Sequence, residues 1–351
     1  MYYVDSKLVR WLVVNRTYIQ RRVAITLTEV LVSLAILGVL IALLLKGVQA
    51  ARESSRRLQC QNNLRQQMLA TTDFHATHSE LPSFYNDTSL SWPLREWDLF
   101  HMHSWRAKLL PHLEQTALFN SIDWEALATD EVNLDIAQTP VPVFICPSGH
   151  SPTVLGWGLK HDTLIGAPLG SVSDADKYHV MRSDYDAMAG IQSLPTPPPD
   201  GASANDAKFI NWGVWGRAVF KTDTISGSDL LRYRPGRFSD VTDGLSNTIA
   251  IAERGGKPFD LLDGERNVTP GNPNADYPGQ VGWSASNTFA WAINKDGVGI
   301  NQSNSNGIYA LHAGGANVAI ADGAVKLLPA STDFETLVAL FGRSDGAVVP
   351  Q

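Results

Sequence analysis

Phosphate-binding loops and H-E-x-x-H zinc helices are absent from this 351-residue chain, and with them the commonest signatures of nucleotide and metalloprotease chemistry. No unit of twenty to fifty residues repeats, which excludes a solenoid. Positive charge is also scarce. The formal net charge is −7, and an acidic chain lacks the basic footprint that nucleic-acid binding requires. Cysteine is reduced to two residues, Cys60 and Cys146. An even count permits one disulfide outside the cytoplasm, whereas two buried free thiols are the alternative.

What the chain does have is one long apolar run. Residues 21–45 read RRVAITLTEVLVSLAILGVLIALLL. From Ile25 to Leu45 Glu29 is the one charged residue, and at 1.5 Å per residue the run spans roughly 30 Å, the thickness of a bilayer core. A carboxylate in such a helix costs about 2.5–3.5 kcal/mol on insertion scales, so its presence asks for a partner. A cut between Ala24 and Ile25 would create an α-amine one helical turn before Glu29, and an amine and a carboxylate from neighbouring copies could then neutralise each other.

The stretch Ala24-Ile25-Thr26-Leu27-Thr28-Glu29 resembles the type IV prepilin signal, in which a small residue precedes a hydrophobe, Thr-Leu and an acid at mature position five. Ala-Ile stands where Gly-Phe is usual, and the leader Met1–Ala24 is long. The resemblance implies a prepilin peptidase that cuts before Ile25 and methylates the new amine. It further implies assembly with other pilin-like subunits into a type IV pilus or a type II secretion pseudopilus. The leader's five bases outweigh its one acid, so removing it takes the formal charge from −7 to −11. Charge flanks both sides of the apolar run (Lys7, Arg10, Arg16, Arg21 and Arg22 before it; Lys46, Arg52, Arg56 and Arg57 after it), so the positive-inside rule barely discriminates an orientation. The resemblance places the N-terminus in the cytoplasm, the helix in the inner membrane as a single pass, and the remainder outside.

Beyond the apolar run, residues 46–80 continue as helix. No proline intervenes, and Cys60, Leu64 and Met68 recur at four-residue steps as an apolar stripe. Leu81-Pro82 ends it. Residues 81–351 form a β-rich globular part with a Pro/Gly-rich loop near 191–205. The expected fold is α+β: a long N-terminal helix packed on an antiparallel, pilin-like ectodomain. Within it, residues 104–122 read as helix broken at Pro111, and Val141–Cys146 as a short strand. Ile249 and Ile251 lie on one face of another strand. Asn317–Leu327 forms a hairpin whose two-residue Asp322-Gly323 turn pairs Ile320 with Val325 and Val318 with Leu327.

Several blocks resemble a large family of uncharacterised bacterial prepilin-like proteins. They are Arg56–Gln66, Trp105 with Leu109–Gln115, Phe144–Ser148, Asp243–Thr248, and a closing motif of His312, nine residues, then Asp322-Gly323. The blocks follow the family's order. His312 and Asp322 invite a catalytic reading, but a third partner is not evident. The simpler expectation is structural: Asp322 supplies turn geometry and His312 caps the Gly314-Gly315 bend. No cofactor is expected. Calcium is left open, since Asp240, Asp243, Ser246 and Asn247 offer oxygen ligands without an EF-hand spacing. The pairs His75/His78 and His101/His103 have zinc-like spacing without completing a four-ligand set. The expected partners are therefore the lipid bilayer, the peptidase and other pilin-like subunits. A non-enzymatic pilin-like role leads. A permanently anchored extracytoplasmic binding protein for carbohydrate or peptide is the alternative, with an enzyme centred on His312 and Asp322 third.

Overall fold

The computed structural model describes residues 26–342 apart from 84–102, 129, 150–154, 160–176, 189, 193–208, 223–228, 257–260, 263–264, 267–281, 285–291, 295–298 and 305–306. Ala24, Ile25 and most of the Pro/Gly-rich loop lie outside these residues, as does His101. The chain divides into two compact units, Met1–Ala51 and Arg52–Gln351, and one helix, Leu27–His78, runs through both ranges.

In the first unit every described side chain is exposed, including Leu31, Leu34, Leu37, Ile41 and Leu44. The helix contains an 18-residue window of mean hydropathy 2.6 with none of it buried, so it is long and apolar enough to cross a membrane. Its start is capped locally. The Thr26 amide and hydroxyl both donate to the Glu29 carboxylate, at 2.8 and 2.9 Å, and the Glu29 amide donates back to Thr26 Oγ1 at 3.3 Å. This is a capping box spaced T-x-x-E.

In the second unit the same helix becomes amphipathic. Cys60, Leu64 and Met68 are wholly buried, and Asn63, Gln67, Thr71 and Phe74 flank them at three- and four-residue spacing. They cover one face of a four-stranded antiparallel sheet. Its strand order is Val325–Pro329, Gly315–Ile320, Ile249–Glu253, Tyr185–Ala187. Ala319, Ile251, Tyr185 and Ala187 meet the long helix, joined by Trp105 and Trp215. Ala316, Val318, Ile320 and Leu328 point the other way, onto the C-terminal helix Phe334–Phe341 through Leu337, Leu340 and Phe341. The architecture is α+β, with the sheet sandwiched between two helices of very different length.

Three local expectations are corrected. Val141–Cys146 is not a strand: Pro142 starts a 3-10 turn, Pro142–Phe144, closed by the Phe144 and Ile145 amides on the Val141 and Pro142 carbonyls. Ile249 and Ile251 do not share a face. Ala250 is an extra residue between the pairs Ala319/Ile251 and Ile320/Ile249, and this bulge re-aims the strand. The bulged carbonyl is not wasted, since Trp215 Nε1 and the Met188 amide donate to it at 2.6 and 3.1 Å. The terminal hairpin is also shifted by one residue. Val318 pairs with Lys326 and Ala319 with Val325, around a three-residue loop, Ala321-Asp322-Gly323. The Gly323 amide donates to the Ile320 carbonyl at 2.9 Å, and of the loop residues only Gly323 has positive φ, at 95°. A type I turn followed by a left-handed glycine replaces the type I′ turn, which would need positive φ at both central residues. The apolar alternation could not fix the register, because Gly315–Ile320 is buried on both faces.

The sheet is not the whole of the second unit. Two ribbons, Leu155–Leu159 with Lys177–Met181 and Gly216–Thr222 with Asp229–Pro235, are antiparallel. The small sheet of Ala292–Asn294, Gly190–Gln192 and Phe209–Trp212 contains one parallel pair. The predicted helical segment around Pro111 divides into Trp105–Leu109, the 3-10 turn Leu110–Leu113 and Thr116–Ser121.

Two glycines in the terminal hairpin separate backbone strain from steric exclusion. Gly323 has open space around a would-be Cβ, whereas a Cβ on Gly315 would overlap the carbonyl oxygen of Leu328 in the partner strand. Gly323→Ala should therefore cost about 1–2 kcal/mol from the left-handed backbone alone. Gly315→Ala should cost distinctly more, and denaturant unfolding of the two variants side by side checks the order.

Candidate functional site at the helix–sheet junction

The 3-10 turn places Cys146 beside the long helix, and a disulfide joins it to Cys60 across a Cα–Cα distance of 5.4 Å and 86 positions of sequence. The turn is held there by helix amides. Asn63 Nδ2 donates to the Ile145 carbonyl at 3.0 Å and Gln67 Nε2 to the Val143 carbonyl at 2.8 Å. Each side-chain NH2 group meets a backbone acceptor that the irregular turn leaves open, while Gln67 Oε1 is buried with no partner among the described residues.

His312 enters the same spot from the residues just before strand Gly315–Ile320. It is 4% exposed. Its Nδ1 donates to Glu53 Oε1, from the helix, at 2.8 Å. Its Nε2 lies 3.5 Å from Glu253 Oε1, at the end of the central strand, and 3.6 Å from Cys146 Sγ. Glu253 is itself fixed, accepting from the Asn317 amide at 2.6 Å and from Asn317 Nδ2 at 2.9 Å. Glu53 also takes bonds from Arg56 and from Ser148 Oγ, the latter at 3.1 Å. Thus Cys60, Cys146 and His312, from three separate sequence blocks, converge on one point with two carboxylates.

The expectation that His312 caps the Gly314-Gly315 bend is replaced by this clamp. Asp322 is not part of it. Its exposed carboxylate accepts from the Ala324 amide at 2.9 Å. It sits past the far end of the six-residue strand, roughly 16 Å along at 3.3 Å per residue. The structure thus does not bring His312 and Asp322 together. Asp240, Asp243, Ser246 and Asn247 lie in a turn region where Asn247 Nδ2 donates to the Asp243 carbonyl at 3.3 Å and Lys326 Nζ to the Ser246 carbonyl at 3.3 Å. His75 and His78 do not pair. His75 accepts from the Phe238 amide and His78 stacks on Phe74. His103 bonds the Ala126 carbonyl.

Residues 49–335 match a family described as "Protein of unknown function (DUF1559)". The chain belongs to this family. No curated protein and no solved structure matches it. The matched range contains every residue of the junction and begins inside the long helix, after the apolar run.

Sequence reasoning missed both glutamates and the buried charge around them. Asp186 binds Arg106 Nη2 at 2.7 Å and Arg254 Nη1 at 3.2 Å, all three buried. Beside Glu253, burial pushes the Asp184 carboxyl up to about 6, against the opposing pull of Arg182 and the Cys146 amide. Among the described residues Asp184 Oδ1 has no hydrogen-bond partner. The residue lines a crevice of about 10 Å³ with Cys146, Glu253 and Tyr309, room for one water. The sequence signal that existed was the position of Glu53 seven residues before Cys60, two helical turns on the same face.

The clamp has a definite pH dependence. Burial alone would lower the His312 pKa, but hydrogen bonds to Glu253 and Glu53, with their charges, outweigh it and raise the group above its usual value. The stabilisation it contributes is fully present below the unfolded value of about 6.5 and is lost as pH rises through the folded one. His312→Gln should cost about 1.5–3 kcal/mol at pH 5.5, the range for hydrogen bonds to charged groups, and measurably less at pH 9. Urea unfolding of both proteins at the two pH values checks this.

Proposed function

We propose that this family member is a pilin-like subunit, anchored in the inner membrane with its N-terminus in the cytoplasm and its β-rich domain outside. One observation carries the reading. A single helix is apolar and uncovered over its first half, with one acid near its start, and is then held by a stripe buried against a sheet and by a disulfide and two side-chain amide bonds to the segment of the 3-10 turn. A simple tether needs no helix continuous into the domain core. A subunit that must pack its apolar half against neighbouring copies, while holding its globular part at a fixed place along the helix, does. The leader Met1–Ala24 is then removed before Ile25 and the new amine methylated.

Mass spectrometry of the protein purified from membranes should find Ile25 as its methylated N-terminus. Intact peptides containing Met1 on the mature protein would contradict the reading.

Glu29 has two roles to separate, the local cap and the charge. Glu29→Gln keeps an acceptor for the Thr26 amide, and removing the charge should leave membrane insertion intact or improved. Incorporation into any filament should fall sharply, because the amine of a neighbour loses its counter-charge. Normal incorporation of the glutamine variant in a filament-shearing assay would refute a role for the charge.

A further inference from the structure

The disulfide sits inside a set of donors that a covalent cross-link does not need. Cys60 Sγ, Cys146 Sγ, His312 Nε2 and a Glu253 carboxylate oxygen, all from buried residues, lie within 4.8 Å of one another. Zinc binds thiolate, imidazole and carboxylate tetrahedrally, with Zn–S about 2.3 Å and Zn–N or Zn–O about 2.0 Å, so the edges of its ligand tetrahedron are roughly 3.3–3.8 Å. Two of those edges already exist, 3.6 Å from His312 Nε2 to Cys146 Sγ and 3.5 Å from His312 Nε2 to Glu253 Oε1. The surroundings match as well. His312 gives Nδ1–H to Glu53, so once Nε2 gives up its own proton its lone pair faces the sulfurs, the carboxylate–histidine arrangement that orients zinc ligands. Glu253 keeps its second oxygen on the Asn317 amide, so the ligating oxygen is held in place.

We propose that this junction is a two-state site: a disulfide when oxidised, and a buried Cys60, Cys146, His312, Glu253 zinc site when reduced. The interconversion balances. A dithiol reductant supplies two electrons and two protons, the Cys60–Cys146 bond breaks to two thiols, and the reductant leaves as its own disulfide. Zn²⁺ then displaces the two thiol protons as both sulfurs bind as thiolates. The helix stays joined to Cys146 in either state, by a covalent bond in one and through the metal in the other, and the metal also ties it to Glu253 at the end of its strand. This inference does not depend on the pilin-like reading, since it concerns only residues of the second compact unit.

The test uses the full chain in detergent micelles, reduced anaerobically with a phosphine, freed of reductant and titrated with Co²⁺ as an optical stand-in for Zn²⁺. The reduced protein should bind one metal per chain with the intense visible bands of tetrahedral, thiolate-ligated Co²⁺, and zinc should displace it. The oxidised protein should show no such bands. Cys60→Ser and His312→Ala should abolish the spectrum. Glu53→Gln, which alters only the group behind the histidine, should weaken Co²⁺ binding about 10–100-fold without changing its colour. The near-ultraviolet signal of the buried Trp105, Trp215 and Trp283 reports whether each sample is folded. A reduced, folded chain that binds no Co²⁺, or binds it octahedrally, overturns the proposal, as does a reduced chain that loses its tryptophan signal and does not regain it with zinc.

Discussion

Everything in the second compact unit depends on burying one face of a helix whose other faces carry Arg, Gln and Asn. Cys60, Leu64, Met68 and Phe74 supply the apolar contact, and at about 25 cal/mol per Å² such a stripe contributes a few kcal/mol per large side chain. That alone fixes a face, not a position along the axis. The position is fixed by direction-dependent bonds: Asn63 and Gln67 to the 3-10 turn, Gln61 Nε2 to Asn317 Oδ1, Glu53 to His312, and the Cys60–Cys146 cross-link. A helix that slid by one turn would keep most of its apolar burial and lose all of these. In the chain-entropy view the cross-link contributes up to about 4.6 kcal/mol by restricting the unfolded chain, while the buried amides contribute specificity.

The buried charge follows from the same arrangement. A sheet covered on both faces leaves little water for polar side chains at its ends, so those that remain must satisfy one another. Asp186 serves two guanidiniums and Glu253 serves Asn317 and His312. Such groups add little net stability compared with apolar substitutes, but removing one member strands the others, typically at about 3–5 kcal/mol. They make the junction intolerant of piecemeal change, and they bring imidazole, carboxylate and sulfur close enough for chemistry beyond packing.

Local periodicity made some of this legible. The apolar run needs only its length, and the four-residue recurrence of Cys60, Leu64 and Met68 marks the buried face because a helix surrounded by polar residues shows its stripe clearly. The terminal hairpin was visible from Asp322-Gly323, yet its register was not, since strand Gly315–Ile320 is buried on both sides and one-residue slips leave its apolar pattern intact. The Ala250 bulge was hidden because it depends on Trp215, 35 positions away. At the junction, Cys60, Cys146 and His312 stood out as residue types. Glu53 and Glu253 did not, because a glutamate on a polar helix and one at a strand end look like ordinary surface residues until the fold brings them to the same histidine.

In the proposed arrangement one helix is held by two different surroundings, lipid over its first part and the sheet over its second. Hydrogen exchange of the full chain in lipid nanodiscs, with and without moderate urea, measures this directly. Amides of residues 30–45 should stay protected in both conditions, because a membrane helix satisfies its own backbone in hydrocarbon. Those of residues 57–74 should be protected in buffer and lose protection in urea together with strand Gly315–Ile320. Rapid exchange of residues 30–45 in the nanodisc, or loss of both segments in a single transition, would contradict the account.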